Sequence, residues 1–100
     1  MYLLDRILDN KSEIIKIFSK YGAVNIVIIG SVNRRQEGEH SDIDFVAELK
    51  KLNNGQTDLT AFVALKNELK EYFNREIDLA DHAQIAIQYP DALINGTRIE

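Results

Sequence analysis

The chain has 100 residues, a net charge of −4, 45% apolar and 28% charged residues, and no cysteine. One domain spanning 1–100 with a single modest core fits this size, burying about 60–65% of the surface the unfolded chain exposes, and the composition excludes a disordered chain. The acidic balance gives no global field for nucleic acid, so a stable nucleic-acid partner is not expected, and the lack of thiols excludes disulfides, thiolate zinc sites and cysteine nucleophiles.

The start, Met1-Tyr2-Leu3-Leu4-Asp5-Arg6, lacks the basic and long apolar stretches of a signal peptide. Apolar residues at Leu4, Ile7, Leu8, Ile14, Ile15, Ile17, Phe18 and Tyr21 recur at helical spacing over 2–21. A break is expected near Asp9–Ser12, with Ser12 as a cap and Gly22 as the stop. Val24 to Ile29 is β-branched and nearly continuous in apolarity, a buried central strand interrupted only by Asn25. It is too short to span a bilayer, so a soluble cytoplasmic protein without a membrane partner is expected.

Val32 to Ser41 reads as a charged loop whose first residues can form a helical turn. Asp42 to Leu49 alternates, with Ile43, Phe45, Ala47 and Leu49 on one face and Asp42, Asp44, Val46 and Glu48 on the other. Asn53-Asn54-Gly55 is a turn. Leu59 to Phe73 forms an amphipathic helix capped by Thr57 or Asp58. Glu76 to Ala80 is a short strand, and Asp81 caps a last helix from His82 to about Tyr89 that Pro90 interrupts. The order α-β-β-α-β-α predicts an α/β (α+β) fold, a small mixed sheet packed with helices, but leaves the strand order open.

Asp42 and Asp44 lie two apart on a predicted strand, so their carboxylates share a face with Cα atoms about 7 Å apart. Like charges held together gain from a bound cation, and hard oxygen donors suit Mg²⁺ or Mn²⁺. Asp-x-Asp is common by chance, and taken alone these residues more often end a loop. Gly30 and Ser31 add weight, because they follow the buried strand directly. Without a Cβ, Gly30 lets a ligand approach, and the amides of a following helical turn favour phosphate. The Ser31 hydroxyl and the cations of Arg34 and Arg35 can donate to the same anion. Asp78, on the face opposite Ile77 and Leu79, completes a plausible acidic triad. Asp58, Glu76 and Asp81 are rivals, the last better explained as a cap. His40, His82, the tyrosines and Lys50-Lys51 read as surface or packing residues.

The run IIGSVNRRQEGEHSDIDFVAEL resembles the minimal nucleotidyltransferases (MNT), small members of the DNA polymerase-β-like superfamily. Their pattern is Gly-Ser, a variable residue, Ala-Arg-Gly, a short loop, then Ser-Asp-Ile-Asp before apolar residues. The ten residues between Ser31 and Asp42 match the usual spacing, and LKNELKEYFNREIDLAD resembles the helix and strand that carry the third acid. The resemblance implies a nucleotidyltransferase domain in which Gly30, Ser31 and Arg34 contact nucleotide phosphates, with Arg35 adding positive charge. It further implies that Asp42, Asp44 and Asp78 are catalytic and hold Mg²⁺ or Mn²⁺, the ATP or other NTP being substrate. Asn33 and Arg35 depart from the pattern's Ala and Gly. A HEPN-domain toxin is the implied partner, receiving AMP on a hydroxyl, with this chain as antitoxin. The alternative is a non-catalytic module that neutralises its partner by contact. An open sheet edge would allow a homodimer or a hetero-complex.

Overall fold

The computed structural model describes residues 1–100. The N-terminal helical region divides into α1 (Leu3–Asp9) and α2 (Lys11–Lys20). The break falls at Asn10, whose φ of −116° and ψ of 22° leave the helix. Ser12 is therefore inside α2 rather than its cap. Gly22, at φ +75°, turns the chain into β1 (Val24–Ile29). Asn25 takes φ 57° at a bulge in that strand, a conformation asparagine tolerates better than its β-branched neighbours.

β1 leads into a single helical turn, α3 (Gly30–Asn33), then a loop and β2 (Ile43–Glu48). A crossover through α4 (Leu59–Phe73) brings in β3 (Ile77–Asp81), followed by α5 (His82–Gln88), α6 (Pro90–Asn95) and β4 (Thr97–Arg98). The sheet order is β3-β2-β1-β4; β1 is antiparallel to β2 and β4, and β2 is parallel to β3. The mixed α/β fold is the one the pattern implied, with α3, α6 and β4 added to the order read from sequence. Pro90 does not simply end a helix. It opens α6, at the position where a missing N–H and a preset φ cost nothing. β4 has two residues, too few to show an alternation. No helix is long and apolar enough to cross a membrane.

Caps explain the sharp starts of the later helices. Asp58, not Thr57, accepts from the Ala61 amide at 3.1 Å. Asp81 accepts from Ala83 N, as a cap should, and also from Leu49 N at 3.1 Å. Lys51 Nζ pairs with the same carboxylate, so Lys51 is not merely a solvated strand end. Burial pushes the Asp81 carboxyl up, but its bonds to Lys51, Leu49 and Ala83 outweigh this and hold it below the usual range.

The two faces of the sheet are covered unequally. Eighteen buried residues, among them Ile28, Ile43, Phe45, Ile77 and Leu79, form the main core with α1, α2 and α4. Phe45 is its centre, with ring centroids 5.3 Å from Phe18 and 5.9 Å from Phe73. The other face buries only Val27, Val46 and Ile85 under α5 and α6. Asp44 and Asp78 lie on this thinly covered face. The fold thus invests its hydrophobic stabilisation on one side and leaves the acids within reach of a ligand on the other.

Candidate active site

The site is assembled from the end of β1 and the starts of β2 and β3. Asp44 lies opposite Ile29 across one strand pair and opposite Asp78 across the other. Neighbouring strands stand about 4.8 Å apart, and two carboxylates directly opposite each other oppose folding. Asp44 is half-buried, whereas Asp42 and Asp78 are exposed. Burial first, then the charge and hydrogen bond of Asp78 and the charge of Asp42, push the Asp44 carboxyl from its ordinary 3.8 up to about 6; Arg34 acts in the opposite direction. A carboxyl so displaced marks a place where positive charge would be strongly favoured.

Gly30 makes this crowding possible. Its φ is +73°, and a Cβ built there would lie 2.0 Å from Asp44 Oδ2. No other residue both adopts that backbone and leaves room for the carboxylate. Ser31 follows, half-buried, at the start of a turn whose first amides have no preceding carbonyls to bond. Val32 anchors the turn in the core with no exposed surface.

The two arginines diverge. Arg34 is exposed, donates from Nε to Gln36 Oε1 at 3.2 Å, and has its charge directed on Asp44. Arg35 turns the other way, onto α1, where Nη2 is 2.8 Å from Asp5 Oδ1. Its φ of 55° lies in the left-handed region, the conformation glycine adopts most readily. The loop after it is not free. Glu37 Oε2 accepts from the Leu3 amide at 2.9 Å, and Arg75 Nη1 donates to the carbonyls of Gly38 and Ser41 at 3.1 and 2.8 Å. Arg75 thereby holds the approach to Asp42. Sequence alone gave no reason to select it, because its partners are backbone atoms 34 and 37 residues away.

The structure therefore gathers Gly30, Ser31, Arg34, Asp42, Asp44 and Asp78 at one end of the sheet and leaves Arg35 outside. Asp44 and Asp78 are direct cross-strand partners, while Asp42 stands one residue before β2 and its charge acts on Asp44. No three acidic or histidine side chains are already closed into a single ligand group. Mutual repulsion of three carboxylates opposes such closure. The donors themselves, all hard carboxylate oxygens around one over-crowded acid, suit Mg²⁺ or Mn²⁺ and no softer metal.

Comparison with known proteins shows the family and the fold. Residues 12–99 match the family model described as Polymerase beta, Nucleotidyltransferase. A proposed protein adenylyltransferase of Methanocaldococcus jannaschii is 34% identical over 85 residues, covering 85% of this chain and 87% of that protein. Among solved structures, a proposed minimal nucleotidyltransferase superposes with a TM-score of 0.74 at 22% identity, covering 97% of this chain and 94% of the other. A toxin–antitoxin structure with AMP-PNP gives a TM-score of 0.71 at 21% identity, covering 91% of this chain and 73% of that one. At these identities the two structures speak for the shared fold.

Proposed function

The chain belongs to the Polymerase beta nucleotidyltransferase family, and from that premise we propose that it transfers AMP from ATP to a hydroxyl of a HEPN-type toxin, as the antitoxin of the pair. The observation that carries the nucleotide chemistry is the Asp44 carboxylate set against Gly30 and across from Asp78, with the Asp44 carboxyl pushed up to about 6. The adenylyl group and the protein acceptor are suggested by the name of the Methanocaldococcus jannaschii relative, and the toxin by the toxin–antitoxin neighbour. Such a pair would work in the cytoplasm, which suits a chain without cysteine.

In this reading the turn opened by Gly30 and Ser31 receives the triphosphate, while the missing Cβ of Gly30 leaves room for the Asp44 carboxylate. Arg34 balances phosphate charge from the loop side. Arg35 would join it only by leaving Asp5. Asp42, Asp44 and Asp78 would hold Mg²⁺ or Mn²⁺, which when bound supplies charge neutralisation for the leaving pyrophosphate and a more acidic attacking hydroxyl. The acceptor oxygen forms a bond to the α-phosphorus as the bond to the β-phosphate oxygen breaks. Asp78, the more exposed of the two cross-strand partners, accepts the hydroxyl proton. Position and charge carry the rate, since no covalent enzyme intermediate is involved.

The reading is tested by incubating the chain with Mg²⁺, the HEPN-type toxin and each of the four labelled NTPs. Label on the toxin from ATP, and little from the others, is the expected result. Label from none of them would remove the transferase assignment.

A further inference from the structure

Asn33 ends α3, one residue before Arg34. Its Nδ2 donates to the Asn95 carbonyl at 2.9 Å, and its Oδ1 accepts from the Thr97 hydroxyl. Asn95 closes α6 and Thr97 opens β4, so one side chain ties the turn beside the acids to the C-terminal segment. That segment is itself fixed. Thr97 pairs with Ile28 of β1, and a Cβ on Gly96 would lie 2.6 Å from Val27 Cγ1 and 2.9 Å from the Ile28 carbonyl. Val32 in the core holds one side of α3, and Asn33 holds the other.

We infer that Asn33 and Thr97 are positioning residues for the nucleotide: they clamp the turn bearing Ser31 and Arg34, making the C-terminal strand a working part of the phosphate site. The inference rests on the proposed function for its ligand, but not for the clamp itself. An alanine at this position, as in the minimal nucleotidyltransferase pattern, offers neither hydrogen bond, so the tie belongs to this chain's own Asn33. A turn of four residues has few hydrogen bonds of its own to hold it. Its orientation is therefore set by what its ends are fastened to.

Thr97 is the better probe, because its hydroxyl is spent on Asn33 rather than directed at a phosphate. Thr97→Val removes the hydroxyl at constant shape, Thr97→Ser keeps it, and Asn33→Ala removes both bonds. Each full-length variant is titrated calorimetrically with Mg²⁺ and a non-hydrolysable ATP analogue, and amide hydrogen exchange is followed over residues 30–34. Thr97→Val and Asn33→Ala should weaken nucleotide binding about three- to tenfold, the scale of one lost hydrogen bond. Both should speed exchange selectively over residues 30–34, and Thr97→Ser should behave as wild type. Unchanged binding in Thr97→Val and Asn33→Ala, even with a lowered melting temperature, reduces the clamp to a structural tie and overturns the inference. Equal losses in Thr97→Val and Thr97→Ser also overturn it, since the hydroxyl is then not the link. Wild type that binds no nucleotide refutes the functional reading and with it the positioning role. Exchange over residues 30–34 then reports separately whether the clamp exists.

Discussion

Replacing Asp44 with asparagine should make the protein more stable and inactive at once. The Asp44 carboxyl is pushed from 3.8 to about 6, chiefly by burial and then by Asp78. Between these values the folded chain keeps a proton that the unfolded chain has released. Stability therefore falls as pH rises from about 4 to about 6, and the cost is fully present above 6. At about 1.4 kcal/mol for each tenfold change in acidity, the limit is ~3 kcal/mol. Because the side chain is only half-buried, solvent screening brings this to about 1–2 kcal/mol. Asparagine matches the protonated acid in shape, so Asp44→Asn should equal wild type at pH 4. At pH 7.5 it should melt about 4–16 °C higher, given about 4–8 °C per kcal/mol for a domain of this size. Differential scanning fluorimetry across that range, without divalent cation, makes the comparison. A variant that melts at or below wild type at pH 7.5 would refute the claim that the site stores electrostatic strain.

Gly30→Ala should cost more than about 2 kcal/mol in urea unfolding and abolish nucleotide binding, because the left-handed backbone and the carboxylate contact both oppose a Cβ. Arg34→Ala should weaken binding of a non-hydrolysable ATP analogue about tenfold, as loss of a charged phosphate contact does, while Arg35→Gly stays within about twofold of wild type. Equal effects at the two positions would place Arg35 in the phosphate site despite its pairing with Asp5. Asp81→Ala should lose about 2–3 kcal/mol at pH 7 through its cap and its bonds to Leu49 and Lys51. Its carboxyl is held low, so that loss should shrink as pH falls below the ordinary aspartate range, which urea melts at pH 3 and pH 7 will check.

The parts of the fold that could be read in the sequence are those whose period is long enough to show. Ile43, Phe45, Ala47 and Leu49 announced the buried face of β2, and Leu59 to Phe73 announced α4. α3, α6 and β4 are four, six and two residues long, below the length at which periodicity separates helix from strand. Their places depend on tertiary contacts such as Asn33 with Thr97. The candidate site divides in the same way. Gly30, Ser31, Asp42 and Asp44 lie in one motif, and the parallel register of β2 and β3 brings Asp78 from a later segment opposite Asp44. Arg34 and Arg35 are adjacent and chemically identical, so only the resemblance to the nucleotidyltransferase pattern, and no property of the side chains, separates them in the sequence. The Asp5 carboxylate, thirty residues earlier, does so.

Catalysis at the three aspartates can be read from the intact mass of the HEPN-type toxin after incubation with Mg²⁺, ATP and this chain. Wild type should add AMP to the toxin and neutralise it, and Asp42→Asn combined with Asp44→Asn should do neither. Full neutralisation by that double variant, with no adduct from wild type, would contradict catalysis and leave a protein that acts by contact alone.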